Sequence, residues 1–254
     1  MRHRYLQLIL YKTYADLRAE AARTYIGVFW WVLEPLLYMS VFYVVFGVVI
    51  QRGTEDFAPF LLCGLVTWKW FDGSVRQGCN AILFNAGLIR QVYLPKYILP
   101  AATILVITVK FAVVFALLLF FLVVYGFEPG WSWLTLPAVL LTQLAFISGC
   151  TLLAAAVVPF VPDLKVLIDN GLMLLFFLSG VFFDLSFASE EVRLFLELNP
   201  MAVLIMEYRQ VLMHGQMPSL AALGVIVGVS LSLAGGGLYL LKRLDRRYPK
   251  VLMR

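Results

Sequence analysis

The sequence predicts an all-α integral membrane protein with six transmembrane helices, and three observations carry that expectation. Hydrophobic residues make up 62% of the 254, mean hydropathy is +0.90 and charged residues are only 14%. No water-soluble domain of this size could hide so much apolar surface. The apolar residues gather into long runs, and about 20 in succession is what a helix needs to cross hydrocarbon. Lipid also demands that every backbone N–H and C=O be paired within the segment, and the alternation of a barrel strand is absent, so the runs are helices.

The chain reads as one domain, 1–254. An amphipathic interfacial helix over residues 1–26 comes first: Tyr5, Leu6, Ile9, Leu10, Tyr14 and Leu17 recur at roughly helical spacing among Arg2, Arg4, Lys12, Arg18 and Arg23. A cleavable signal peptide is not expected, because its basic region would be short and an apolar core would follow at once. Spans are expected at about 29–50, 58–80, 98–125, 134–158, 166–186 and 219–241, with a tail at 242–254. Both tails are rich in Lys and Arg, the loop after span two carries Arg90 and Lys96, and Lys165 follows span four. Only Arg52, Arg193 and Arg209 lie on the other side. The positive-inside rule therefore makes both termini and that loop cytoplasmic. The net charge of +5 is accordingly a matter of topology, not of nucleic-acid binding.

The loop from Asn80 to Pro100 is too long and too polar for a tight turn. Gly87 to Val92 can form a short helix before Pro95, whose ring biases Leu94 away from the α region. This projecting lever is either an ordinary basic connection or a docking helix through which a soluble motor moves the flanking spans.

On the outer side, residues 187–218 are too short and too charged for two further spans. Leu194, Phe195, Leu198, Val203, Leu204, Leu212 and Met213 suggest two short helices broken at Asn199 and Pro200, lying on or dipping into the outer face. They either cap an opening or stabilise the outer loops. In span six Gly224, Gly228, Ser232 and Gly236 form a small-residue stripe, suited to packing inside one subunit or, less readily, to a dimer seam.

Span one presents Trp31, Pro35, Tyr38, Phe42 and Phe46 along one stripe. Trp30 and Trp31 suit interfacial anchors, whereas the deeper Tyr38, Phe42 and Phe46 are candidates for lining a translocation pathway. Span two carries Trp68, Lys69, Trp70, Asp72 and Arg76. Charges at that depth are costly unless they face protein or water, and Asp72 is spaced to pair with both Lys69 and Arg76 on one face. The set is a salt-bridged packing cluster or the polar wall of a conduit. Lys110 in span three is near enough to the cytoplasmic side to snorkel.

The basic tails attract anionic headgroups. Some of that charge, at Arg4, Lys12, Arg18 and Arg23, could receive a pyrophosphate-bearing lipid from the inner leaflet, with Glu34 as the acid beside that entrance. Cys63, Cys79 and Cys150 lack metal-ligand or disulfide spacing and read as small packing residues. His3 and His214 are lone. No phosphate loop, dinucleotide fingerprint or zinc motif is present, so neither metal nor catalytic residues are expected, and ATP hydrolysis must come from another chain.

With those residues in view, the whole chain resembles the ABC-2 type permease subunits that export bacterial polysaccharides of the O-antigen (Wzm-like), capsule and teichoic-acid kind. Asp16-Leu17-Arg18, Thr24-Tyr25-Ile26-Gly27 and Trp30 to Pro35 are similar to the family's interfacial helix running into span one. Asn85, Leu88-Ile89-Arg90, Val92-Tyr93-Leu94-Pro95-Lys96 and Leu99-Pro100 resemble its lever pattern, and Asn199-Pro200, Arg209, Gly215 and Lys242 to Asp245 its late motifs. Glu20-Ala21 departs from the Arg-Tyr pair usual in such permeases.

The resemblance implies a homodimer bound to two ATP-binding-cassette subunits, which hold ATP and Mg and receive a coupling helix at about 84–94 through Asn85, Gly87, Leu88, Ile89, Arg90 and Gln91. It implies a glycan on a polyprenyl-pyrophosphate carrier as cargo, the bacterial inner membrane as location, and an outer gate at Glu190, Phe195, Asn199, Pro200 and Arg209. Rival readings are a drug or lipid exporter of the same superfamily and a stand-alone secondary transporter or channel. The latter would use Lys69, Asp72, Arg76 and Lys110 as an ion relay, but the inverted repeats of such transporters are missing.

Overall fold

The computed structural model describes residues 2–22, 25, 27–42, 44–45, 56–183, 196 and 198–252, with only the backbone described at 2–4, 28, 35, 38, 39 and 42. Among the described residues every regular element is a helix. In order they are α1 (Arg2–Ala22), a 3-10 turn (Gly27–Phe29), α2 (Trp30–Phe42), α3 (Phe57–Gly78), α4 (Ala81–Phe84), α5 (Ala86–Gln91) and α6 (Ile98–Tyr125). After a second 3-10 turn (Trp131–Thr135) come α7 (Leu136–Val157), α8 (Asp163–Leu178), α9 (Pro200–Leu212), α10 (Leu220–Arg243) and α11 (Tyr248–Val251).

Three of these helical segments, Ile98–Tyr125, Trp131–Val157 and Leu220–Arg243, are long and apolar enough to cross a membrane. They match the third, fourth and sixth expected spans. The second expected span is the 22-residue α3, whose apolarity is lowered by Lys69, Asp72 and Arg76. The first and fifth are helical over 13 and 16 described residues, short of the roughly 20 that a perpendicular crossing requires.

Local chemistry explains several boundaries. α6 ends where Gly126 takes a left-handed φ of 117°, which lets the Gly126 and Phe127 amides return to the Leu122 carbonyl. α9 starts at Asn199, whose side chain accepts from the Met201 amide at 3.0 Å with Pro200 in the first turn. Of the two outer helices expected, this one is described; the other falls on residues outside the description.

Two apolar cores organise the bundle. The larger joins α3, α6, α7 and α9 around Leu61, Leu65, Phe111, Phe146 and Tyr208, with the Trp70 and Phe111 rings stacked at 4.0 Å. The smaller lies at the lever end of the bundle and collects Ile82, Ile89, Leu94, Leu99, Ala156, Leu241 and Tyr248 from six elements and the loop after α5. Helices in lipid gain little from burial alone, so close packing and hydrogen bonds hold them together.

The tightest pair is α7 with α10. A Cβ on Gly149 would stand 2.8 Å from the Ser230 carbonyl oxygen, and one on Gly237 would stand 2.7 Å from the Leu153 amide nitrogen. Of the two uses expected for the small residues of span six, packing inside one subunit falls to other positions. Among the described residues Gly224, Gly228 and Gly236 meet nothing within 4 Å, while Gly237 and the buried Ser230, displaced around the helix, make the seam with α7.

Candidate functional site

The lever is built as an anchor with an exposed face. α5 is only six residues long, one residue earlier than the expected Gly87 to Val92, and it follows the single turn of α4. The Asn85 side chain joins them by donating to the Ala81 carbonyl at 2.7 Å. Ile89 is buried in the smaller core, whereas Gly87, Leu88, Arg90 and Gln91 are exposed. Phe84, Val92 and Tyr93 extend the exposed surface, at 76%, 56% and 76%, so a sizeable apolar face stands beyond the ends of the spans. Val92 is extended, and no helix forms between it and Pro95, in keeping with the proline's bias on the residue before it.

The C-terminal tail packs against this lever, a contact that sequence reasoning missed because it took the tail's charges as a membrane-facing patch. Asp245 accepts from the Tyr93 hydroxyl at 2.9 Å and stands 3.6 Å from the Lys96 ammonium. That ammonium, 2% exposed, also donates to the Leu94 carbonyl. Arg90 donates to the Leu252 carbonyl. Tyr248 is fully buried and donates to the Ala156 carbonyl at 3.0 Å. Burial, with Asp245 adding to it, pushes the Tyr248 phenol well up, and the bond to Asp245 raises that of Tyr93. The only sequence signal was one acid, Asp245, among the basic residues of the tail.

Between α1, α2, α3 and α6 lies a cleft of about 300 Å³, lined among others by Trp30, Trp31, Glu34, Lys69, Asp72 and Lys110. Its cations are matched by carboxylates from neighbouring elements. Lys69 meets Glu34 at 3.3 Å, Arg76 meets both Asp72 and Asp169 at 2.7 Å, and Lys110 pairs with Glu20 of α1 and sits 5.6 Å from the Trp31 ring centroid. The spacing within α3 foretold the Asp72–Arg76 pair, but Glu34, Glu20 and Asp169 come from distant segments that periodicity cannot place. Glu20 of α1 is thus the partner of Lys110 in α6. Trp68 belongs to the larger core, edge-on to Phe71 at 5.5 Å.

Of the basic residues expected to receive a lipid pyrophosphate, Lys12 pairs with Asp16 at 3.0 Å and Arg18 is exposed. The Arg4 side chain and all of Arg23 lie outside the described residues, as do the Tyr38 and Phe42 side chains, Phe46, Glu190 and Phe195.

At the end of the bundle away from the lever, α9 acts as a clamp. Arg209, 5% exposed, donates to the carbonyls of Phe60 at the start of α3 and of Gly180 and Val181 just after α8. Asn199 donates to the Ser179 hydroxyl at 2.8 Å. Glu207, buried, accepts the Ser219 amide at 2.9 Å at the start of α10. Burial raises the Glu207 carboxyl above its ordinary pKa, and that amide opposes the rise. Asn199 and Arg209 thus tie α9 to the start of α3 and to the segment just after α8, and Glu207 adds a third tie to the start of α10.

The ABC-2 type transporter family matches residues 9–213. An O-antigen export system permease protein RfbA of Myxococcus xanthus is 30% identical over 233 residues, covering 91% of this chain and 90% of that protein. The protein of the same name from Klebsiella pneumoniae is 24% identical over 246 residues, 96% and 95% of the two chains. The polysialic acid transport protein KpsM of Escherichia coli is 26% identical over 205 residues, 79% of each. The family match runs from α1 through the lever to α9, and the chain belongs to the ABC-2 type transporter family.

Proposed function

We propose that this chain is the permease subunit of an ATP-driven exporter that moves polyprenyl-pyrophosphate-linked polysaccharide, O antigen or a related glycan, across the bacterial inner membrane. It works as a homodimer with two ATP-binding-cassette subunits, which supply ATP and Mg, and both its termini are cytoplasmic. The observation that carries the coupling is the lever: α5 is anchored by Ile89 and offers Leu88, Arg90 and Gln91 outward. The glycan cargo is supported by the O-antigen permeases matched over nearly their full length.

Force applied at α5 would tilt α3 and α6, which it joins. Arg76 passes that motion to α8 through Asp169, and Arg209 passes it to the outer helix. Cations in the cleft are matched by acids, which suits uncharged, polar sugar units stacking on Trp30 and Trp31 better than a bare pyrophosphate. The pyrophosphate is better served near Arg18 at the surface. α8 buries Leu172 and leaves Leu167, Met173, Leu174 and Phe177 exposed, room for a second copy.

Deleting the gene in its host tests the proposal. Surface glycan should disappear while carrier-linked glycan accumulates on the inner side, and unchanged surface glycan would contradict it.

A further inference from the structure

A six-residue helix cannot hold its own shape in water, since isolated helices shorter than about 12 residues are marginal. α5 also lacks a side-chain cap bond at its start. Yet a lever that transmits force must be stiff relative to what it moves. Its stiffness has to come from tertiary contacts; beside the apolar core around Ile89, its long-range polar contacts, from Arg90, Tyr93 and Lys96, go to one segment, the turn and last helix after α10.

We propose that this segment, Leu244 to Leu252, is a positioning brace for the lever, with Asp245 as its central residue. Asp245 holds the outgoing end of the lever at two points, the Tyr93 hydroxyl and the Lys96 ammonium. The Leu252 carbonyl holds Arg90. The brace is itself pinned to α7, because the buried Tyr248 donates to the Ala156 carbonyl and packs against Phe160 with ring centroids 5.0 Å apart. A generic membrane-facing tail does not account for this arrangement. Its cations Arg246, Arg247 and Lys250 are exposed, while its acid and its tyrosine point into the protein.

Mechanically, the lever is then tied to four helices. Its own chain joins α3 to α6. The brace continues from α10, which is locked to α7 through Gly149 and Gly237. A push at Leu88 therefore moves both helix pairs together. A groove of about 340 Å³ between lever and brace, lined by Gln91, Val92, Arg246 and Pro249 among others, gives the docking partner two walls.

This inference rests on the docking role of the lever, and the experiment separates the two. Full-length chain is purified with its ATP-binding-cassette subunit as Asp245→Ala, Asp245→Glu and Leu88→Glu. In Asp245→Ala, amide exchange at Ile89 and Val92, which donate to the Asn85 and Leu88 carbonyls, should rise about tenfold. Glycan exported per ATP should fall while capture of the ATPase subunit persists, and Asp245→Glu should restore both exchange and coupling. Exchange and export in Asp245→Ala equal to wild type would overturn the brace. Capture retained by Leu88→Glu would instead overturn the docking role, and the exchange measurement would still decide the brace.

Discussion

The guanidinium of Arg209 lies 3.3 Å from the centroid of the Phe60 ring and donates to the carbonyl of the same residue at 3.1 and 3.2 Å. Phe60 is in the first turn of α3, so α9 grips one end of the helix whose other end leads into the lever. Gly64 leaves the space for that grip: a Cβ there would stand 2.8 Å from an Arg209 nitrogen.

Replacing Arg209 by Ala should cost about 3 kcal/mol, because three buried carbonyls lose donors at once. Arg209→Lys should recover part of this, since a single ammonium cannot span all three. Thermal unfolding in detergent is the measurement, and a loss under about 0.5 kcal/mol for Arg209→Ala would contradict the clamp.

Arg76 and Asp169 bridge α3 and α8, with side chains 38% and 33% exposed. Partial solvent screening limits their worth, so a double-mutant cycle of Arg76→Ala and Asp169→Ala should give a coupling of about 1 kcal/mol. Additive losses would mean the bridge contributes nothing to joining the two helices.

The glycines of α10 should divide sharply. Gly237→Val, with backbone of α7 already at contact distance, should destabilise by about 2 kcal/mol. Gly228→Val, which meets nothing, should be neutral in the stability of a single subunit. Equal losses at both positions would place the seam elsewhere.

Glu207 gives a pH test. Its carboxyl is raised by burial, so the folded state keeps its proton to a higher pH than the unfolded chain does. The stability is full below the ordinary carboxylate value and declines as pH rises from there through the raised one. Glu207→Gln keeps an acceptor for the Ser219 amide without this titration. Its unfolding midpoint should therefore vary less between acidic and neutral pH than that of the wild type, and an unchanged pH profile would refute the assignment.

Much of the bundle was legible because apolar run length reports directly on helices that must cross lipid, as at 98–125 and 219–241. The lever was legible because Pro95 and the cluster of turn and basic residues interrupt that pattern. What stayed hidden depends on contacts between distant segments. Nothing in the order of residues brings Glu34 to Lys69, Asp169 to Arg76 or Asp245 to Tyr93. The stripe at Gly224 and Gly228 misled for a related reason: small residues permit close approach without saying which face another helix will use.

The central claim is that the exposed face of α5 is where a separate ATPase takes hold. Leu88 is 39% exposed, so Leu88→Glu should leave the fold intact while placing a charge at the contact. Co-purification of this variant with its ATP-binding-cassette subunit measures the claim most directly. The account predicts a well-folded permease that no longer retains the ATPase; retention at the wild-type level would contradict it.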